Sequence, residues 1–348
     1  MLRVVVMTPE LRKLTVHAYL RRLALSRRPI LVGPWRSELG FEGLYWIPFL
    51  RWAVKRFTIN PERLVILSRG GASILYGAPS IDLYTLRSVT DVRQENAYDY
   101  THTQIQKQFT ATAWDTDVLA EAARRVCGRG AKYHVLHPSW MYWALEPWWN
   151  EWRGLKYLTS MADYSPIPKP PKPSGLTLPE SYVAVKWYAR HTFPYPHPDV
   201  SAAVAAITGH LASQAPVVLL TTPIEADEHK DIVVAGARIT ALPAVGAEQN
   251  LALQISVLAH AKAFVGTYGG VAQLALRMGV PSVSLYHAWG GTADAHLTLS
   301  GVLSRKLGVP FLMGSLADAQ LWKQVVGVQP AAVVPASAPE PVPVGVPA

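Results

Sequence analysis

The chain has 348 residues, a formal net charge of +9, and 50 % hydrophobic against 16 % charged residues, enough apolar material for a core in each of two domains and too much for a disordered chain. Its one cysteine, Cys127, excludes an internal disulfide framework and any multi-cysteine zinc site, and fits a reducing compartment. No apolar run approaches the roughly 20 residues that cross a bilayer, and the start MLRVVVMTPELRK is apolar only from Val4 to Met7, so no secretory leader is expected and the expected location is cytoplasmic, extending to the inner face of a membrane.

The charge is unevenly placed. Residues 1–60 hold 11 Lys/Arg against 3 Asp/Glu, and the rest of the chain is nearly neutral. A basic segment beside Trp- and Tyr-rich stretches suits an anionic leaflet or another polyanion, or is a solvated basic face. No zinc finger or RNP box accompanies it, so nucleic acid is not an expected partner.

Pro9 to Arg28 reads as a basic amphipathic helix, with Leu11, Leu14, Ala18 and Leu25 among Arg12, Lys13, Arg21, Arg22, Arg27 and Arg28. Ile30 to Val32 is a brief strand, and the loop Gly33 to Glu42 that follows carries Arg36, Ser37, Glu38 and Glu42. A helix from Gly43 to about Phe57, a strand Leu64 to Leu67 and the turn Arg69-Gly70-Gly71 come next, so the pattern is strand, loop, helix, strand, and a parallel sheet is expected. Pro79 to Thr112 reads as irregular and polar-aromatic. Asp115-Thr116-Asp117 has the form of a metal-binding Asp-x-Asp, but it opens a strong helix, where acids serve capping and the dipole. Tyr133 to Leu136 is a strand, and five tryptophans follow between Trp140 and Trp152, read mainly as core.

Ser165 to Pro179 holds 6 prolines in 15 residues and is the expected linker between an N-terminal domain, 1–164, and a C-terminal domain, 180–328. Tyr182 to Val185 opens the second domain as a strand running into Lys186-Trp187-Tyr188-Ala189-Arg190-His191. A helix Val200 to Leu211 and a strand Val217 to Leu220 follow, with Thr221-Thr222-Pro223 at its exit. Glu225 to His229 reads as polar loop rather than metal cluster. Leu316 to Val326 is expected to be a last helix, and 329–348, with 6 prolines, a disordered tail.

The most informative run is Ala259 to Tyr286, AHAKAFVGTYGGVAQLALRMGVPSVSLY. A short apolar strand ends at Gly266-Thr267-Tyr268-Gly269-Gly270, and apolar spacing then turns helical through Val271, Leu274, Ala275 and Met278. Adjacent glycines let backbone approach a ligand, and a helix start offers free N–H groups and a positive dipole end, so the turn can cradle an anion. The alternative is a tight turn without a ligand.

The run from Leu258 to Tyr286 resembles the donor-binding half of GT-B glycosyltransferases, and is closer to the heptosyltransferase and fucosyltransferase kind than to the retaining enzymes that carry a glutamate pair in this region. The resemblance implies two Rossmann-like α/β domains facing a cleft, with an acceptor in the first and a nucleotide sugar in the second. It implies Glu38, or Glu42, as the base that deprotonates the acceptor hydroxyl. Lys186, Arg190, Thr222, Gly266, Thr267, Tyr268, Gly269, Gly270 and Gln273 would hold the donor, without a metal or other cofactor. The glutamate pair of retaining relatives is absent, which implies inversion. The acceptor class implied is a saccharide or glycolipid. Two other readings share these features: a nucleotide-sugar epimerase of the same build, and a non-catalytic basic module for polyanions or membrane surfaces.

Overall fold

The structure, a computed structural model, describes residues 8–103, 108–190, 193–222, 224, 229–287 and 294–316. The expected final helix, the tail and most of Glu225 to His229 lie outside the described residues.

The chain is α/β throughout, with two parallel sheets, as the alternation predicts. The first orders its strands β3-β2-β1-β4, made of β1 (Ile30–Val32), β2 (Leu64–Ser68), β3 (Ser80–Asp82) and β4 (His134–Leu136). All pairs are parallel, with Ile30 opposite both Leu64 and His134. The second orders β11-β10-β9-β5-β6-β8, from β5 (Val183–Ala189), β6 (Val217–Leu219), β8 (Ile239–Ala241), β9 (Ala263–Thr267), β10 (Ser282–Tyr286) and β11 (Phe311–Ser315); β7 (Lys230–Ile232) pairs antiparallel with β5. Central strands such as Ile30–Val32 and Val217–Leu219 are buried at every position, as expected of parallel strands covered on both faces.

Helix α1 (Pro9–Leu25) is capped by Thr8, whose hydroxyl accepts from the Leu11 N–H. After β1 comes α2 (Leu39–Phe41), which runs through a π-helical turn, Glu42–Trp46, into α3 (Ile47–Phe57). Then follow α4 (Val89–Thr103), α5 (Ala113–Cys127), α6 (Ser139–Ala144), α7 (Glu146–Trp149) and α8 (Leu155–Ser160). The second lobe holds α9 (Pro198–Gln214), α10 (Ala247–Ala259), α11 (Gly270–Arg277) and α12 (Asp294–Leu307).

Each sheet has apolar layers on both sides. Leu31, Val65 and Leu67 pack on Val118, Leu119 and Ala122 of α5, while Ile30, Val32 and Ile66 pack on Leu20, Phe49, Met141 and Tyr142. In the second lobe Val185, Trp187 and Leu285 pack on Val200, Val204 and Ile207 of α9, and Ala184 and Phe264 on Leu258 and Ala275. The lobes share apolar material: Leu276, Leu299 and Leu303 join the first lobe's core, and Ile47, Ala72 and Leu75 join the second's.

The proline segment lies against both lobes. Ile167 is buried and its N–H donates to the Arg277 carbonyl at 2.9 Å, while the Arg51 guanidinium donates to the carbonyls of Ser165 and Pro166. Of the tryptophans, Trp148 is buried and Trp152 is 58 % exposed. Pro79 to Thr112, expected to be irregular, contains α4, whose buried Asn96 and Asp99 give that segment a structural task.

Candidate active site

Two segments meet at the seam between the lobes: the loop after β1 and the turn after β9. The loop is held from several sides. Gly33 has φ +122°, a conformation suited to glycine, and a side chain there would strike the Leu67 carbonyl. The Trp35 N–H donates to that same carbonyl at 2.8 Å. Arg36 is fully buried and each nitrogen of its guanidinium has a partner: Nε donates to Asp115 Oδ1 at 3.1 Å, and the terminal nitrogens donate to Asn96 Oδ1 at 2.9 Å and Asp99 Oδ2 at 2.7 Å. Asn96 returns a bond to the Arg36 carbonyl, Gln108 donates to the Pro34 carbonyl, and Arg69 donates to the Ser37 carbonyl at 2.6 Å.

Asp115 therefore does more than begin a helix. It completes a capping box with Thr112, as the reading of the Asp-x-Asp expects, and it also neutralises Arg36, with His137 Nε2 at 3.3 Å from its other oxygen. Burial alone would push its pKa up, but His137 and Arg36 outweigh that and hold it well below the usual carboxylate range.

Glu38 sits at the start of α2, half-buried. Burial is the main cause that raises the phenol pKa of both Tyr142, in the first lobe, and Tyr188, in the second, and the charge of Glu38 adds to both, so it lies at the seam. Glu42 is placed differently from the expectation. It is not a loop residue beside a helix start but lies inside the π-helical turn with no exposure. The reason is the helix itself, which begins at Leu39 rather than Gly43 and turns Glu42 inward. Its Oε1 accepts from the Ser68 hydroxyl and the Tyr76 phenol, each at 2.6 Å, and its Oε2 has no hydrogen-bond partner among the described residues. Burial pushes its pKa up to about 7 against the pull of Ser68, Tyr76 and Arg69.

In the second lobe, β5 runs four residues past Val185, so Lys186 is inside the strand rather than beyond its end. Its ammonium donates to the Leu220 carbonyl at 2.7 Å, Asp231 Oδ2 at 2.9 Å and Gln254 Oε1 at 3.0 Å. Those are all three of its donors, and Lys186 ties β5 to the β6 exit, β7 and α10. Burial lowers its pKa and Asp231 opposes the shift. Thr222 joins this knot, its N–H donating to Asp231 at 2.7 Å.

Arg190 is the cation that remains at the strand end. Its guanidinium lies over Gly269 and beside the Tyr188 phenol, and its Nε is buried with no hydrogen-bond partner among the described residues. Tyr188, which sequence reasoning passed over, is buried and donates to the Tyr268 carbonyl at 3.1 Å. Burial pushes its pKa up to about 12, with Arg190 pulling down and Glu38 adding to the rise. Thr267 is buried and its hydroxyl accepts from the Tyr188 N–H at 3.1 Å. Tyr268 and Gln273 are buried nearby.

The glycines of the turn serve close packing. A side chain at Gly266 would meet the Lys186 carbonyl of the next strand, one at Gly269 the Tyr188 hydroxyl, and one at Gly270 the Gly40 backbone N. Reciprocally, a Cβ at Gly40 would lie 2.8 Å from Gly270 Cα and 2.7 Å from Gln273 Oε1. The backbones of α2 and α11 thus touch across the seam, and the start of α11, read from sequence as an open anion cradle, faces Gly40. Gly70 and Gly71 make a second such contact on Leu251 and Ala252 of α10. Only the juxtaposition, not the spacing, could have shown that these glycines belong to one interface.

Outside this seam, one group of three among the described residues has the chemistry and spacing of metal ligands: His197, Asp199 and His287. The sequence reading expected no metal and assigned these residues none.

No family model matches the chain, and no curated protein matches it. Solved structures do align with it. One, described as glycosyl transferase family 9 from Veillonella parvula, is 11 % identical with a TM-score of 0.44, over 88 % of this chain and 91 % of that one. The Escherichia coli heptosyltransferase WaaC with ADP is 13 % identical with a TM-score of 0.44, over 86 % and 98 %. The iron-containing dodecameric glycosyltransferase TibC from enterotoxigenic E. coli is 13 % identical with a TM-score of 0.39, over 76 % of this chain and 59 % of that one. At this identity the chain is similar to these proteins in the outline of its α/β fold.

Proposed function

We propose that this chain is a glycosyltransferase that moves a sugar from a nucleotide-sugar donor to a hydroxyl of a saccharide or glycolipid, with inversion. The observation that carries the reading is the meeting at one seam of a half-buried carboxylate, Glu38, and a cation with an unpartnered buried nitrogen, Arg190, beside the turn at Gly269. Ligands of open α/β sheets bind beyond the carboxyl ends of strands, and both segments leave such ends.

In the reaction, the acceptor hydroxyl attacks the anomeric carbon as Glu38 takes its proton. The bond from that carbon to the donor's diphosphate oxygen breaks, and the electron pair leaves with the nucleoside diphosphate. Arg190 stabilises the charge that develops on that oxygen, so the step as proposed is routed through no metal. Because α11 begins against Gly40, the diphosphate belongs on the Arg190 side of the turn. Glu42, enclosed by Ser68 and Tyr76, supports the α2 segment from within rather than touching substrate. Arg36 and Arg69 are positioning residues for the loop that carries Glu38.

A thermal-shift screen with ADP, UDP, GDP, CMP and dTDP, with and without EDTA, tests this. A nucleotide bound only by the folded state at 100 times its dissociation constant adds about 2.7 kcal/mol. One nucleotide should stabilise the protein, Arg190→Gln should abolish the shift, and Glu38→Gln should keep it while losing transfer. If none of the five shifts the transition, the donor site is refuted. Product analysis separates transfer from epimerisation of the donor sugar.

A membrane-facing role for the first lobe has its own support. On α1, Leu14 and Leu25 are 66 % and 88 % exposed, and Arg21, Arg22 and Arg28 line a cavity of about 570 Å³ with His134, so apolar and cationic groups share one face. Among the described residues no helix is long and apolar enough to cross a membrane. Sedimentation with phosphatidylglycerol vesicles but not phosphatidylcholine ones, reduced by Leu14→Ser, is the expected result; equal sedimentation with both refutes it.

A further inference from the structure

A second cluster lies at the carboxyl edge of the second sheet, on the face covered by α9. Its position follows from the sequence His197-Pro198-Asp199. The residue before a proline is pushed out of the helical region, and His197 is extended, with φ −136° and ψ 133°. Pro198 then starts α9 with its fixed φ, and Asp199 falls in the first turn. Two potential ligands are thereby set either side of one rigid residue. The third, His287, is the residue after β10.

In the strand order β10-β9-β5, the cluster joins the end of β10 to the connection between β5 and α9, straddling the exit of β9. One ligand atom from each of His197, Asp199 and His287 lies within 4.8 Å of the other two. The imidazole centroids are 4.9 Å apart with planes tilted by 54°. Nδ1 of His197 and Nδ1 of His287 are both shut off from solvent without a hydrogen-bond partner among the described residues.

Buried polar atoms are nearly always partnered. Two neighbouring imidazoles, each with a buried nitrogen that is not, beside a carboxylate, ask for a group that accepts lone pairs. Asp199 alone is explained by the α9 dipole, but that explanation uses neither histidine. A cation at a helix N-terminus is opposed by the same dipole, and the carboxylate offsets the opposition.

We propose that His197, Asp199 and His287 form a binding site for a divalent transition metal, of which zinc is the best match for two imidazoles and one carboxylate. Three protein ligands leave at least one position for water or an oxygen ligand. Tetrahedral bonds of about 2.0–2.1 Å place ligand atoms about 3.4 Å apart, so the groups close by at most about 1.4 Å from their present limit. The exposed Asp199 side chain and half-buried imidazoles can make that adjustment by χ rotation. The bound ion ties two loops across the exit of β9, next to the turn that carries Gly269.

The test uses the full chain without a histidine tag, stripped with chelator and titrated with Co²⁺, read by its visible d–d absorption, and then with Zn²⁺ as competitor. Saturation near about one equivalent and displacement by Zn²⁺ are expected. Loss of an outer-shell partner already costs a metal site about 10–100-fold in affinity, so His287→Ala and the gentler Asp199→Asn should each weaken binding by about tenfold or more. Unchanged affinity in both variants, or no saturable binding by the native chain, overturns the proposal. Unfolding of the metal-free variants at the native temperature verifies that the fold is intact, and their nucleotide-induced thermal shift reports separately on the donor site.

Discussion

Replacing Arg36 by methionine removes one charge from a place with no water to replace it. The guanidinium is fully buried and lies 2.7 Å from Asp99 and 3.1 Å from Asp115, whose side chains are 2 % and 0 % exposed. Removing one member of a buried ion pair costs about 3–5 kcal/mol, chiefly because the other charge stays behind. Two carboxylates lose the guanidinium here, which favours the upper end, while His137 still faces Asp115 and the Gln108 N–H still donates to Asp99, which limits the loss. The cost has a sign in pH. In the native protein the Asp115 pKa is depressed, so it contributes stability above its unfolded pKa of about 3.9, lost as pH falls through the folded value. Without Arg36 one of the two groups that hold the pKa down is gone and the folded pKa rises, so the deficit is greatest where the carboxyl is ionised and narrows as it protonates. Urea unfolding of Arg36→Met and native protein, followed by tryptophan fluorescence from pH 7 to pH 4.5, should give a deficit that is largest at pH 7 and narrows in acid. A deficit under about 1 kcal/mol, the size of an exposed pair, or one independent of pH, would refute the reasoning. Arg36→Lys, which keeps the charge and loses the fork, should fall between the two.

Three further outcomes follow from the same geometry. Gly40→Ala forces a methyl against Gly270 Cα at 2.8 Å, a backbone neighbour that cannot rotate away, and should cost about 1–3 kcal/mol of overpacking in thermal unfolding; Gly77→Ala, open on all sides, probes only the strain of positive φ. Glu42, pushed up to about 7, is protonated in the fold and ionised in the unfolded chain between those pKa values, so native stability should fall by up to about 1.4 kcal/mol per pH unit from about pH 4.3 to about pH 7; in Glu42→Gln that slope should vanish, and an identical pH profile would show the carboxyl to be ionised. Lys186→Met leaves the Asp231 carboxylate without its cation, near the Leu220 carbonyl and, among the described residues, with only the Thr222 N–H donating to it, and should cost about 3–5 kcal/mol in stability. If it instead left stability intact and abolished nucleotide binding, Lys186 would be the phosphate cation after all.

Much of the architecture was written locally. Apolar triplets such as Ile30–Val32 and Val217–Leu219 were readable as covered parallel strands, and the strand–turn–helix–strand of Ala259 to Tyr286 stands nearly as read, because hydrophobic period and glycine placement are properties of neighbours in sequence. The same local evidence offered Glu38 and Glu42 as the base and Lys186 and Arg190 as donor cations. It put Glu38 ahead of Glu42 on loop position alone and could not show their difference in burial: one helix starting four residues earlier enclosed the second carboxylate between Ser68 and Tyr76. It put Lys186 among the donor ligands, because a buried lysine with three acceptors and a free one look alike until Asp231 and Gln254, 45 and 68 residues away, are folded around it.

The glycine turn marks the division most clearly. Sequence determined that Gly266, Gly269 and Gly270 permit close approach of something, since absence of a Cβ is intrinsic to the residue. What approaches was decided by tertiary structure: the Lys186 carbonyl, the Tyr188 hydroxyl and Gly40 of the other lobe. His197 and His287 are 90 residues apart and met only when β10 and the start of α9 were brought to one edge of the sheet. Period, capping and turn chemistry act within a few residues, whereas partner choice, burial and therefore pKa depend on which distant elements share a surface, and only the folded chain sets that.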